Sequence, residues 1–176
     1  MSGCQRLVDL GRRQFLKGSG TAAAGAVAAA VAPAERAKAT PALARVDYPS
    51  NRLANVNELQ VDEPFDITYP DPDSPGVLIK LGRPAESGVG PDQDIVAFST
   101  LCPHKGFGLL YVADDKSLNC PGHYSRFDCE RGGMEIWGQA TQNLPQFNLR
   151  VDDQGDIYAE GADELIYGRL SNVLQG

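Results

Sequence analysis

Two short stretches carry side chains that could do chemistry together. One is Cys102-Pro103-His104; the other, fifteen residues on, is Cys120-Pro121-Gly122-His123-Tyr124-Ser125-Arg126-Phe127-Asp128. Each offers one thiolate and one imidazole. The chain has two histidines in 176 residues, and both are here, with two of its four cysteines. Two Cys and two His can hold one tetrahedral zinc ion. They can equally hold a [2Fe–2S] cluster, both cysteines on one iron and both histidines on the other. A Cys₂His₂ zinc finger places its cysteines first and its histidines later on a helix. Here each stretch mixes the two types, and a proline follows each cysteine. Proline and glycine within both stretches point to two rigid loops. Two facing loops, each giving one ligand to each metal, suit the cluster better, with zinc left open as the second possibility.

Loops of this kind need strands to hold them apart and aim them. Ile95-Val96-Ala97-Phe98-Ser99 reads as a strand that delivers the chain to the first loop, and Ser117-Leu118-Asn119 feeds the second. Upstream, residues 55–59 lead into Phe65-Asp66-Ile67-Thr68-Tyr69, where apolar and polar residues alternate. Pro70-Asp71-Pro72-Asp73-Ser74-Pro75-Gly76 is turn chemistry. Val77-Leu78-Ile79-Lys80-Leu81 reads as a mostly buried strand, followed by a long Gly/Pro loop over residues 82–94. Residues 147–151 and 156–160, joined by Asp152-Asp153-Gln154-Gly155, form a hairpin. Only residues 162–170 offer a helical period after the first 39 residues. The expectation is an all-β, antiparallel sandwich or barrel.

The first 39 residues differ from the rest. Arg12-Arg13-Gln14-Phe15-Leu16-Lys17 is a twin-arginine pattern, residues 18–34 are uncharged and mainly Ala and Gly, and Ala37-Lys38-Ala39 is a cleavage signal. Seventeen helical residues span about 25 Å, short of the roughly 30 Å hydrocarbon core. We expect a twin-arginine signal peptide over 1–39, no stable membrane span, and a domain over 40–176 in the periplasm. Six of the sixteen Lys/Arg and two of the twenty-three Asp/Glu precede residue 40, leaving ten against twenty-one, a net charge of −11. So acidic a surface argues against nucleic acid as a partner. It suits either a basic protein partner or simple solubility. After residue 39 the cysteines are Cys102, Cys120 and Cys129. With two as ligands no internal disulfide forms, and Cys129 reads as a small buried hydrophobe.

Cys102-Pro103-His104-Lys105-Gly106 with Cys120-Pro121-Gly122-His123-Tyr124-Ser125 resembles the two cluster loops of the Rieske proteins, and more narrowly those of the small subunit of bacterial arsenite oxidase. The resemblance implies a [2Fe–2S] cluster, one per chain, with Cys102 and Cys120 on one iron and His104 and His123 on the other. It implies a small cluster-binding subdomain, about residues 100–132, inserted between the strands. Ser125 stands where high-potential members have a serine bonded to a bridging sulfide. Phe127 stands where they have a tyrosine, and it lacks the hydroxyl; neighbouring Tyr124 could point either way. The inter-loop disulfide of those members would fall at Phe107 and Gly122, so packing must replace it, with Phe107 as a plug and Gly122 free to take positive φ. The function implied is electron transfer within a heterodimeric oxidoreductase. A large molybdopterin and iron–sulfur subunit would oxidise arsenite to arsenate, and this chain would pass electrons toward a cytochrome c or a copper protein. The chain itself would be the non-catalytic subunit, since it carries no molybdopterin motif. The alternatives are a Rieske subunit of a quinol-oxidising cytochrome bc complex and a stand-alone Rieske ferredoxin.

Overall fold

The computed structural model describes residues 47–173; the expected signal peptide lies outside them. Two central strands organise the domain, β3 (Pro75–Lys80) and β4 (Ile95–Ser99). Successive strand residues face opposite sides. Val77, Ile79, Val96 and Phe98 enter one apolar cluster, which also holds Cys102, Cys120, Leu118, Phe127 and Cys129. Leu78, Ile95 and Ala97 enter a second one, with Tyr69, Phe147, Ile157 and Ile166. One sheet therefore serves two cores, which explains why these strands read as nearly continuous apolar runs instead of alternating with polar residues.

Three antiparallel sheets result. In the first, β1 (Asn51–Asn55), β10 (Asp156–Ala162) and β9 (Phe147–Val151) lie in the order β1-β10-β9. In the second, β2 (Phe65–Thr68), β3 and β4 lie in sequence order. The third is a meander of β5 (Leu110–Val112), β6 (Ser117–Asn119), β7 (Arg126–Asp128) and β8 (Met134–Trp137). It is inserted between β4 and β9. The architecture is the expected all-β one. Among the described residues no helix is long and apolar enough to cross a membrane.

The departures from expectation are local. Residues 55–59 do not lead straight into β2: β1 ends at Asn55, and Val56–Glu58 is a single 3-10 turn capped by the Asn55 side chain, which accepts the Asn57 N–H at 3.1 Å. Residues 162–170 form no α-helix. The segment is made of turns, pinned where Asn172 Oδ1 accepts the Ile166 N–H at 2.8 Å and where Gly168 takes φ +81. The inserted sheet runs on to Trp137, past residue 132, because β8 pairs with β7. The loop over 82–94 is held by Asp94, whose carbonyl accepts from Leu81 at 2.8 Å and whose carboxylate accepts from Gly82 at 3.1 Å.

Candidate metal centre

Each ligand-bearing loop closes the end of a strand pair, and the two close in the same way. In the first, the Cys102 N–H donates to Phe107 O at 2.8 Å and the Gly106 N–H to Cys102 O at 2.7 Å. In the second, the Cys120 N–H donates to Ser125 O at 2.8 Å and the Tyr124 N–H to Cys120 O at 3.1 Å. The fourth residue after each cysteine takes the left-handed conformation, Gly106 at φ +70 and Tyr124 at φ +63. Glycine does so freely. For Tyr124 the same geometry costs about 1–2 kcal/mol. The first loop springs from the Leu101–Gly108 bridge and the second from the Asn119–Arg126 pair of β6 and β7.

This repetition puts like beside like. Cys102 and Cys120 are buried, free thiols. Burial raises the Cys102 pKa, the backbone N–H groups of His104 and Lys105 oppose that, and the neighbouring Cys120 thiol raises it further. The His104 and His123 rings meet edge to face with centroids 4.6 Å apart. His104 Nδ1 is buried and has no hydrogen-bond partner. A buried ring nitrogen left so costs about 1–3 kcal/mol, unless it binds a metal. Two neighbouring thiols, two imidazoles in contact and an orphaned ring nitrogen on one of them fit a two-metal cluster.

Ser125 is fully buried. Its Oγ accepts the N–H groups of Gln139 at 2.9 Å and Ala140 at 3.0 Å. A hydroxyl has two acceptor lone pairs and one proton. Both lone pairs are taken, which leaves the proton for a further acceptor such as a sulfur. Gly138 passes so close that a Cβ there would meet Ser125 Cα at 2.3 Å. These partners lie more than a dozen residues from Ser125, so no local spacing announces them.

Phe127 is fully buried in the core that holds both cysteines. Tyr124 is exposed and, with Trp137, Asn119 and Arg126, rims a cavity that reaches Cys120. Phe107 covers Gly122, where an added Cβ would stand 2.9 Å from its ring. Its ring also meets His123 edge-on at 5.6 Å. It is 47% exposed, a cover more than a plug. Gly122 is not among the positive-φ glycines, contrary to expectation. Cys129 is fully buried, and desolvation pushes its thiol pKa far up, so it packs as a hydrophobe.

Residues 51–148 match the family model for the Rieske [2Fe–2S] domain. The chain is 42% identical to iodate reductase subunit IdrB of Denitromonas iodatirespirans, over 93% of this chain and 86% of that one. It is 43% identical to iodate reductase subunit IdrB of Pseudomonas sp. (strain SCT), over 70% and 66%. Among solved structures it resembles the soluble domain of Rieske protein II (soxF) from Sulfolobus acidocaldarius, with a TM-score of 0.63, 26% identity, and 70% and 82% of the two chains covered.

Proposed function

This chain belongs to the Rieske [2Fe–2S] family, and from that premise we propose that it is the electron-transfer subunit of a periplasmic molybdenum-dependent oxidoreductase that acts on a small oxyanion. The cluster, when bound, takes up and gives back one electron at a time. Cys102 and Cys120 would hold one iron through their sulfurs, and His104 and His123 would hold the other. The chain's remaining work is to bury the thiolates, keep the two rings against each other at the surface, and set the electrostatics through Ser125. A large molybdopterin subunit performs the chemistry on the substrate. A cytochrome c or copper protein exchanges electrons with this chain from outside. The twin-arginine leader over 1–39 exports it.

The observation that carries this reading is 42% identity over 93% of the chain to an iodate reductase subunit. It favours iodate as the substrate of the complex. Arsenite is the second reading, favoured by the loop sequences at 102–106 and 120–125. The two make electrons run in opposite directions through this chain, and that separates them. The copurified complex is assayed for molybdenum and then followed by electron paramagnetic resonance. Iodate added to the reduced complex should bleach the reduced-cluster signal. If instead arsenite added to the oxidised complex raises that signal, the substrate is arsenite. A complex without molybdenum, or a cluster that answers neither compound, overturns the proposal.

A further inference from the structure

The first ligand loop has a second neighbour besides the facing loop. After β10 the chain returns across the molecule as a segment of turns, residues 163–173, secured at several points. The Asp163 carboxylate accepts the Gln146 N–H at 2.7 Å. Ile166 is buried in the second core. The Arg169 guanidinium grips Asp71 with two bonds of 2.6 and 2.8 Å. The Asn172 side chain donates to Glu164 O at 2.8 Å and to Tyr48 Oη at 3.0 Å. Between Ile166 and Arg169 stands Tyr167. Its ring packs against Gly106, where an added Cβ would come within 2.5 Å of Cε1 and 2.6 Å of Cδ1.

Gly106 is the residue whose N–H closes the first loop onto Cys102 O at 2.7 Å. A body pressed on Gly106 therefore bears on the turn that carries Cys102 and His104. No disulfide joins the loops, since Cys102, Cys120 and Cys129 are all free. Phe107 covers the facing side of the loop and Tyr167 covers Gly106. Removing the ring would leave a left-handed glycine turn with no cover there, and such turns open easily.

We propose that residues 163–173 are a strap that holds the first cluster loop closed, with Tyr167 as its positioning residue acting through Gly106. This rests on the assignment of Cys102 and His104 as ligands. The strap slows loss of the cluster and keeps the His104 ring in register with His123. It is the ring that makes the contact, so phenylalanine should replace tyrosine and alanine should not.

The test uses the full exported chain in its complex, with Tyr167→Ala, Tyr167→Phe and Arg169→Gln. Two quantities are read: the rate of cluster release into excess iron chelator, and the g-values of the reduced cluster. Supporting residues around metal ligands typically change metal affinity by roughly 10–100-fold. We expect Tyr167→Ala to release the cluster roughly tenfold faster or more, with shifted g-values, on the same scale. Tyr167→Phe should match the wild type, and Arg169→Gln should fall between them. Wild-type release and g-values in Tyr167→Ala overturn the proposal, as does equal loss in the Ala and Phe variants. If Tyr167→Ala does not accumulate, Arg169→Gln decides, because it loosens the strap and keeps the ring. His104→Ser in parallel keeps the two readings apart: a retained signal there refutes the ligand assignment, whatever Tyr167 does.

Discussion

Replacing both Phe107 and Gly122 by cysteine should join the two cluster loops covalently. The structure supplies the geometry. An ideal Cβ on Gly122 stands 2.9 Å from Phe107 Cγ. Phe107 Cβ is one carbon–carbon bond of about 1.5 Å further. The two Cβ atoms are then at most about 4.4 Å apart, inside the roughly 3.5–4.5 Å that a disulfide spans. Gly122 lies outside the left-handed region, so a cysteine there meets no backbone strain. The clash that Gly122→Cys alone would suffer is with the Phe107 ring, and the double variant removes that ring. Full burial of a phenylalanine is worth about 3–5 kcal/mol. Phe107 is 47% exposed, so its loss should cost roughly half of that, plus about 0.5–1.5 kcal/mol for its edge contact with His123. Closing a loop of about 15 residues returns about 3 kcal/mol. The gain and the loss nearly cancel, and the melting temperature should move little. The assay is a thiol count on the denatured, metal-free protein after oxidative export, beside the reduced-cluster spectrum of the same preparation. The double variant should show the wild-type number of thiols and an intact cluster. Two extra free thiols with the cluster intact would mean that Phe107 and Gly122 do not face each other, and the packing argument would be refuted.

Replacing His104 or His123 by serine should abolish the Rieske signal, because each iron needs its pair; a full signal in either variant refutes the ligand set. Ser125→Ala should lower the midpoint potential by removing the hydroxyl proton, and should destabilise the fold by about 1–3 kcal/mol for each of the two backbone N–H groups left unpaired. Phe127→Tyr should raise the potential if its hydroxyl reaches a sulfur; voltammetry reads both, and unchanged values refute the tuning role of these two positions. The Asp62 carboxyl pKa is lowered by its hydrogen bond from Lys116, and that of Asp71 by its bonds from Arg169. A depressed carboxylate stabilises the fold above its unfolded pKa of about 3.9 and loses that contribution as pH falls through the folded value. Thermal stability should therefore decline below about pH 4, less steeply in Asp62→Asn and Asp71→Asn; parallel melting curves for all three proteins contradict this. Arg12→Lys with Arg13→Lys should leave the protein in the cytoplasm, as cell fractionation would read.

How much of the molecule can be read in its residues depends on how far each signal travels along the chain. Strands β3, β4 and β9 announce themselves because five or more residues carry a period of two or an unbroken apolar run, and burial on both sides of the second sheet explains the run. Strands β5 and β7 have three residues each and β8 has four, too few to show a period; they exist because their neighbours pair with them. The four ligand candidates were legible for a different reason. A cysteine with a proline after it and a histidine two or three residues on is a local pattern, and each loop folds locally, through bonds between residues four and five apart. The surroundings of those loops are not local. The donors to Ser125 come from residues 139 and 140, and the ring on Gly106 from residue 167. Gly106 looks in the sequence like any loop glycine. In the structure its missing Cβ is needed twice over, once for φ +70 and once for the Tyr167 ring. The ligand pattern was thus written in short range, while the ring that covers the first loop comes from the far end of the chain. Substitutions near residue 167 should accordingly act on the cluster, although no motif there mentions one.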